Sequence, residues 1–264
     1  MSAAARKIPL TWEVTYAPEA WEIEDDVKVP QAVYQGEIAR DLIDVLKTRA
    51  ETTGAPWGVG GDFALRWDEE HPKVGVDPDV YLVEPPLPRG LLEKSLRTWI
   101  EGHTAPRLVI EVVSDSTSDE DYIHKPARYA ACGIKELWVF DPLKIGPTGG
   151  PAFRLQIWRR DAGGGLRRTY AGEGPAFSEE LGAWLVVQEG GMRLRIADDA
   201  RATHVWPTAA ERERAEKERE RAEKERERER ADFEHERAEK ERAEKEALAD
   251  EIARLKAELA ATKR

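Results

Sequence analysis

The stretch from Arg107 to Asp141, RLVIEVVSDSTSDEDYIHKPARYAACGIKELWVFD, constrains the fold more than any other, because it fits strand, loop, helix and strand into thirty-five residues. Leu108 to Val113 is apolar apart from Glu111, as expected of a strand covered on both faces. Ser114 to Glu120 reads as a polar loop, and a helix then runs to about Cys132, with Gly133 in the position that commonly ends one. Lys135 to Phe140 is a second apolar strand, stopped by Asp141 and Pro142. A unit of this length predicts a crossover between parallel strands. Glu111 is its anomaly: an unpaired ionised carboxylate in such a strand costs on the order of several kcal/mol, so the fold has to supply a partner.

The rest of the chain builds around this unit. Ile8 to Tyr16 reads as a strand or extended arm broken by Pro18. Gln31 to Ala50 sets Tyr34, Ile38, Leu42, Val45 and Leu46 at helical spacing, ending near Gly54. Trp57 to Trp67 and Val74 to Val83 read as a hairpin, with Pro78 marking an edge or bulge flanked by Asp77 and Asp79. Glu84 to Pro106 reads as an insertion or lid-like excursion between strands, with a short helix over Leu91 to Ile100. Further strands are expected at Phe153 to Arg160, Leu166 to Tyr170, Leu181 to Val187 and Met192 to Ile196. The fold class is therefore α/β, a mixed β-sheet flanked by helices.

From Ala209 the sequence changes in kind. Repeats of ERAEKER predict a long charged C-terminal helix, with Glu213/Lys217, Glu220/Lys224, Glu236/Lys240 and Glu241/Lys245 as i,i+4 pairs. Leu248, Ile252, Leu255 and Leu259 give a coiled-coil seam at its far end, too short to fix an oligomer number. Two domains are expected, 1–208 and 209–264. The tail carries 19 acidic and 17 basic residues, which leaves a net charge of −9 on residues 1–208 out of the total of −11. That acidity argues against a broad electrostatic grip on nucleic acid while allowing a local basic cleft. Cys132 is the single cysteine, so there is no intrachain disulfide and no CxxC zinc pair. No apolar run reaches a membrane span or a signal-peptide core, and a cytoplasmic protein is expected. The five histidines lack HxxxH or HExxH spacing, and no GxSxG, Walker or dinucleotide fingerprint occurs.

Placing the hairpin beside the central strand brings Asp79, Glu111 and Lys125 within reach of one another. Carboxylate oxygens hold magnesium, the ion lowers the pKa of a bound water and offsets charge on a phosphate, and an ammonium orients the nucleophile or stabilises developing charge. The bland alternatives are a turn role for Asp79 and a buried salt bridge from Glu111 to Lys125 or an arginine. Ser114 and Asp121 read as loop and N-cap residues, Tyr129 as a packed ring with its hydroxyl at the site edge, and Asp141 as a strand terminator. Pro126 places Lys125 at a helix start or kink.

These residues also carry a resemblance. The ordered set PDV at Pro78–Val80, LVIEVVS at Leu108–Ser114, then Asp121, Lys125, Tyr129 and GIKELWVFDP at Gly133–Pro142 resembles the Uma-two family of restriction-endonuclease-type proteins, within the PD-(D/E)XK nuclease superfamily, over roughly residues 31 to 190. The resemblance implies a restriction-endonuclease-like core, a DNA substrate, Mg2+ or Mn2+ as cofactor, and Asp79 and Glu111 as metal ligands, with the backbone carbonyl of Val112 a further one. The superfamily lysine commonly follows the carboxylate by two residues, where this chain has Val113; the family pattern moves that role to Lys125. A polar residue of the first helix often joins such a site, here Gln35 or Glu37. A competing reading is a catalytically silent scaffold that works through its C-terminal helix, by homo-oligomerisation or capture of a protein partner.

Overall fold

The computed structural model describes residues 18–23 and 32–262, so the segment Ile8 to Tyr16 lies outside the described residues. The chain divides into two compact units, Met1–Ala209 and Ala210–Arg264.

In the first unit, helix α1 (Val33–Thr53) is followed by strands β1 (Gly58–Gly60), β2 (Leu65–Arg66), β3 (Gly75–Val76), β4 (Val80–Val83), β5 (Leu96–Arg97) and β6 (Leu108–Val112). A π turn over Glu120–His124 leads into helix α2 (Lys125–Cys132), and then come β7 (Glu136–Phe140), β8 (Leu155–Arg160), β9 (Leu166–Gly172), β10 (Ala176–Ser178), β11 (Ala183–Gln188) and β12 (Arg193–Ala197). The main sheet is six-stranded and mixed, in the order β1-β4-β6-β7-β8-β9. Only β6 and β7 within it are parallel, joined through α2, which is the crossover expected of the Arg107–Asp141 stretch. Gly54 and Gly133 end α1 and α2 in the left-handed conformation, where a side chain is unfavourable.

Every residue of β6 is buried, and its alternation sends side chains to two cores. Leu108, Ile110 and Val112 pack with Ile38, Leu42, Val45 and Leu46 of α1 and with Leu185 and Ile196 of the β10-β11-β12 sheet. Val109 and Val113 pack on the opposite face with Tyr122, Tyr129 and Cys132, and with Leu65, Val76 and Leu96 of the small β3-β2-β5 sheet. The thiol of Cys132 is buried, which pushes its pKa up to about 12.

Two expectations are corrected. The hairpin forms, but it is divided: β1 pairs with β4, and β2 pairs with β3 in a different sheet. Asp62, at φ 50°, and Pro78 mark the break, and the Asp62 N–H donates to the Pro78 carbonyl at 3.1 Å. Pro78 therefore precedes β4 rather than lying in an edge strand, and β4 sits inside the sheet between β1 and β6. Leu91 to Ile100 is not a helix either. It holds one short 3-10 turn at Gly90–Leu92 and then β5, which is tied to β2 by Leu96 N to Ala64 O at 2.9 Å and Thr98 N to Arg66 O at 3.0 Å. The segment is thus part of the packed body and not a lid.

The second unit is the greater part of one continuous helix, α3 (Ala209–Thr262). Three of the expected i,i+4 ion pairs form, Glu213/Lys217, Glu220/Lys224 and Glu241/Lys245, at 2.5 to 2.6 Å. No helix among the described residues is long and apolar enough to cross a membrane.

Two outcomes test this packing. Gly61 lies so close to Asp79 that a Cβ would overlap the Asp79 backbone oxygen, and backbone cannot swing aside as a side chain can. Gly61→Ala is expected to lower stability by about 1–3 kcal/mol in urea unfolding; an unchanged midpoint would contradict the close approach. Cys132 should resist alkylation by iodoacetamide in the native protein and react fully once urea unfolds it, and rapid labelling of the folded chain would contradict its burial.

Candidate active site

The site forms where β4 begins, β6 ends and α2 starts. Extending the β4–β6 register by one residue beyond Val80↔Ile110 sets Asp79 opposite Glu111, so strand pairing places the two carboxylates side by side. Asp79 also completes the ladder, because its Oδ2 accepts the Val112 backbone N–H at 2.7 Å, where β4 turns away at Pro78. Gln35 of α1 donates from Nε2 to both oxygens of Asp79, at 3.1 and 3.2 Å. Of the two first-helix candidates, the buried Gln35 reaches the site, whereas Glu37 is exposed. Val112 meets Asp79 through its N–H.

Glu111 has no exposed surface. Its Oε2 takes the Lys125 ammonium at 2.8 Å, and its Oε1 accepts a short hydrogen bond from the Tyr129 hydroxyl. The buried ion pair weighed as the alternative is therefore present. Lys125 also lies 2.8 Å from Asp121, whose other oxygen accepts from Thr117 Oγ1 at 2.6 Å. Asp121, Lys125 and Tyr129 follow at i, i+4 and i+8 and share one helix face. Asp121 is fully buried and belongs to this network, which corrects its reading as a loop or N-cap residue. Tyr129 bonds the central carboxylate directly instead of sitting at the edge.

Lys125 is presented by the π turn. Its N–H bonds to Glu120 O, five residues back, and it keeps helical φ −61° and ψ −37° despite the proline that follows. Pro126 stands in the first turn of α2, where its missing N–H has little cost. The lysine thus sits at a helix start, as Pro126 suggests.

Three carboxylates surround one ammonium, and the electrostatics follow. Burial raises the pKa of Asp79; Lys125, the Val112 N–H and Gln35 oppose the rise, while Asp121 adds to it. Burial likewise drives Glu111 well above the ordinary carboxylate range, with Asp79 and Asp121 adding to the effect and Lys125 opposing it. Burial acts to lower Lys125, but Glu111, Asp121 and Asp79 together outweigh it and raise the ammonium, which stays charged. Burial and the Glu111 carboxylate keep Tyr129 protonated as a donor.

Hard oxygen donors in excess of positive charge fit a hard divalent cation. Asp79 Oδ2 accepts two of the bonds described, from Val112 and Gln35, whereas each oxygen of Glu111 accepts one, and a carboxylate oxygen can accept two. Among the described residues no group of three or more His, Cys, Asp or Glu side chains is placed to hold a metal ion. A pair of carboxylates such as Asp79 and Glu111 would be enough only for an ion that retains several waters, as magnesium does.

Comparison with known proteins adds an independent finding. Residues 22–186 match the Uma2 family, described as "Putative restriction endonuclease". No curated protein matches. A solved structure described as a "putative nuclease belonging to DUF820" from Anabaena variabilis is 12% identical, over 57% of this chain and 74% of that chain, with a TM-score of 0.40. The family match spans more than half of the 264 residues and contains Asp79, Glu111 and Lys125, and the chain belongs to the Uma2 family.

Proposed function

We propose that the chain is a magnesium- or manganese-dependent nuclease that hydrolyses phosphodiester bonds in DNA at Asp79, Glu111 and Lys125. The observation that carries this reading is the buried, over-acidic cluster in which two carboxylates from paired strands meet a single ammonium. Asp79 and Glu111 hold the cation, with the Val112 carbonyl as a further ligand. The metal, when bound, lowers the pKa of a water and offsets charge on the scissile phosphate. Lys125 stays protonated, so its ammonium orients the attacking water or stabilises the negative charge that develops on phosphate. Gln35 and the Val112 N–H fix the Asp79 carboxylate. Tyr129 and Asp121 hold Glu111 and Lys125 in register, as positioning residues. Membership of a family described as "Putative restriction endonuclease" supports the choice of DNA.

A second reading is an inert scaffold, and the observation favouring it is that Glu111 already has two donors without a metal. The two differ in what magnesium does.

Plasmid nicking in magnesium or manganese should be abolished by Glu111→Gln and fall by about 100-fold or more in Lys125→Ala, on the scale of a lost charge-stabilising group. Equal rates in wild type and both variants would overturn the assignment. Magnesium should also raise the melting temperature of the wild type, because a ligand that binds only the folded state stabilises it, by about 2.7 kcal/mol at a hundredfold excess over Kd. Asp79→Asn should lose that shift. A wild type whose melting is indifferent to both metals would instead support the scaffold.

A further inference from the structure

Apart from Phe233, the large apolar residues of α3 form one stripe near its C-terminal end. Leu248, Ile252 and Leu255 are 62, 45 and 51% exposed, and Leu259 continues their spacing in the sequence. The intervals of four, three and four make them d, a, d and a positions of a heptad. The same positions upstream hold Glu213, Glu220, Glu227, Glu234 and Glu241 at d and Lys217, Lys224, Ala231, Ala238 and Lys245 at a, and three of these glutamates pair with the lysine four residues on within the helix. No large apolar residue stands at either position before Leu248, so the seam starts there.

The flanking charges select both the occupant and its direction. Glu251 and Glu258 fall at g, and Lys256 and Lys263 at e. In a parallel pair, g of one helix faces e of the other five residues on, which sets Glu251 against Lys256 of the partner subunit. An antiparallel pair in the same seam would bring g glutamates together and leave Lys256 facing Ala249, and like charges in register are unfavourable. Ile252 at a with Leu248 and Leu255 at d favours two strands.

We propose that α3 pairs in parallel with α3 of a second copy of this chain through Leu248, Ile252, Leu255 and Leu259. The inference does not rest on the nuclease reading. Two heptads bury little surface, so the dimer is reversible and dissociates on dilution. Glu251 leaves an intrahelical contact with Arg254 at 3.6 Å to form its cross-helix pair.

Sedimentation velocity of the full chain over a concentration series should show monomer–dimer exchange. Leu255→Glu, which buries a charge in the seam, should weaken the dimer by at least about tenfold in Kd, roughly 1.4 kcal/mol. Glu251→Lys should weaken it too, and Glu251→Lys combined with Lys256→Glu should restore it. Under oxidation, Leu248→Cys should form a disulfide-linked dimer while the wild type, whose Cys132 is buried, does not. A chain that stays monomeric at every concentration would overturn the proposal, as would a dimer indifferent to Leu255→Glu. So would a mixture in which Leu248→Cys links to Leu259→Cys but not to itself, since that is the antiparallel arrangement.

Discussion

A carboxylate at the centre of a buried strand is the condition to which the first unit answers. Glu111 cannot lie in β6 without compensation, and α2 supplies it through Lys125 and Tyr129. The strand-helix-strand crossover therefore does more than cover the sheet, since it delivers the counter-charge to the strand that needs it. Gly61 and Pro78 then allow the chain before β4 to fold tightly enough for Asp79 to join from the other side.

Glu136 shows what a purely structural buried carboxylate looks like in the same sheet. It receives Trp138 Nε1 at 2.7 Å, Ser178 Oγ at 2.5 Å, the Glu179 N–H at 3.0 Å and Arg159 Nε at 3.2 Å. Those donors bind β7 to β8, to the end of β10 and to the residue that follows it. Glu111 has two donors and two neighbouring acids that raise its pKa. The difference lies in charge balance, because both side chains are almost wholly buried.

Much of this was legible in the sequence, for physical reasons that also explain the failures. β6, α2 and β7 were readable because apolar runs and a terminal glycine mark them sharply. The segment carrying β5 misled because Leu92, Leu96 and Trp99 are spaced four and three apart, imitating a helix that the surrounding prolines and glycines do not sustain. β10 is only three residues long and carries no periodic signal. Within the site, Asp121 was missed as a network residue, although its separation of four from Lys125 and of eight from Tyr129 is the signal that would have put all three on one face. The choice between Gln35 and Glu37 was left open, although Gln35 lies three residues before Ile38 and seven before Leu42, on the stripe of α1 that faces the core, and that spacing would have favoured it. What sequence could not supply was the meeting of Asp79 with the Val112 N–H, which depends on where the β4 ladder stops.

The π turn before α2 bears on how such a site changes over time. A π turn is a helix that holds one residue more than its regular turns require. The direction in which Lys125 points therefore depends on chain length as well as on residue identity, since each step around a helix rotates a side chain by about 100°. Gain or loss of a single residue between Thr117 and Lys125 would re-aim the ammonium with no change of amino-acid type. The position of the Lys125 ammonium is thus set by the number of residues between the end of β6 and the start of α2, a quantity that no single side chain carries.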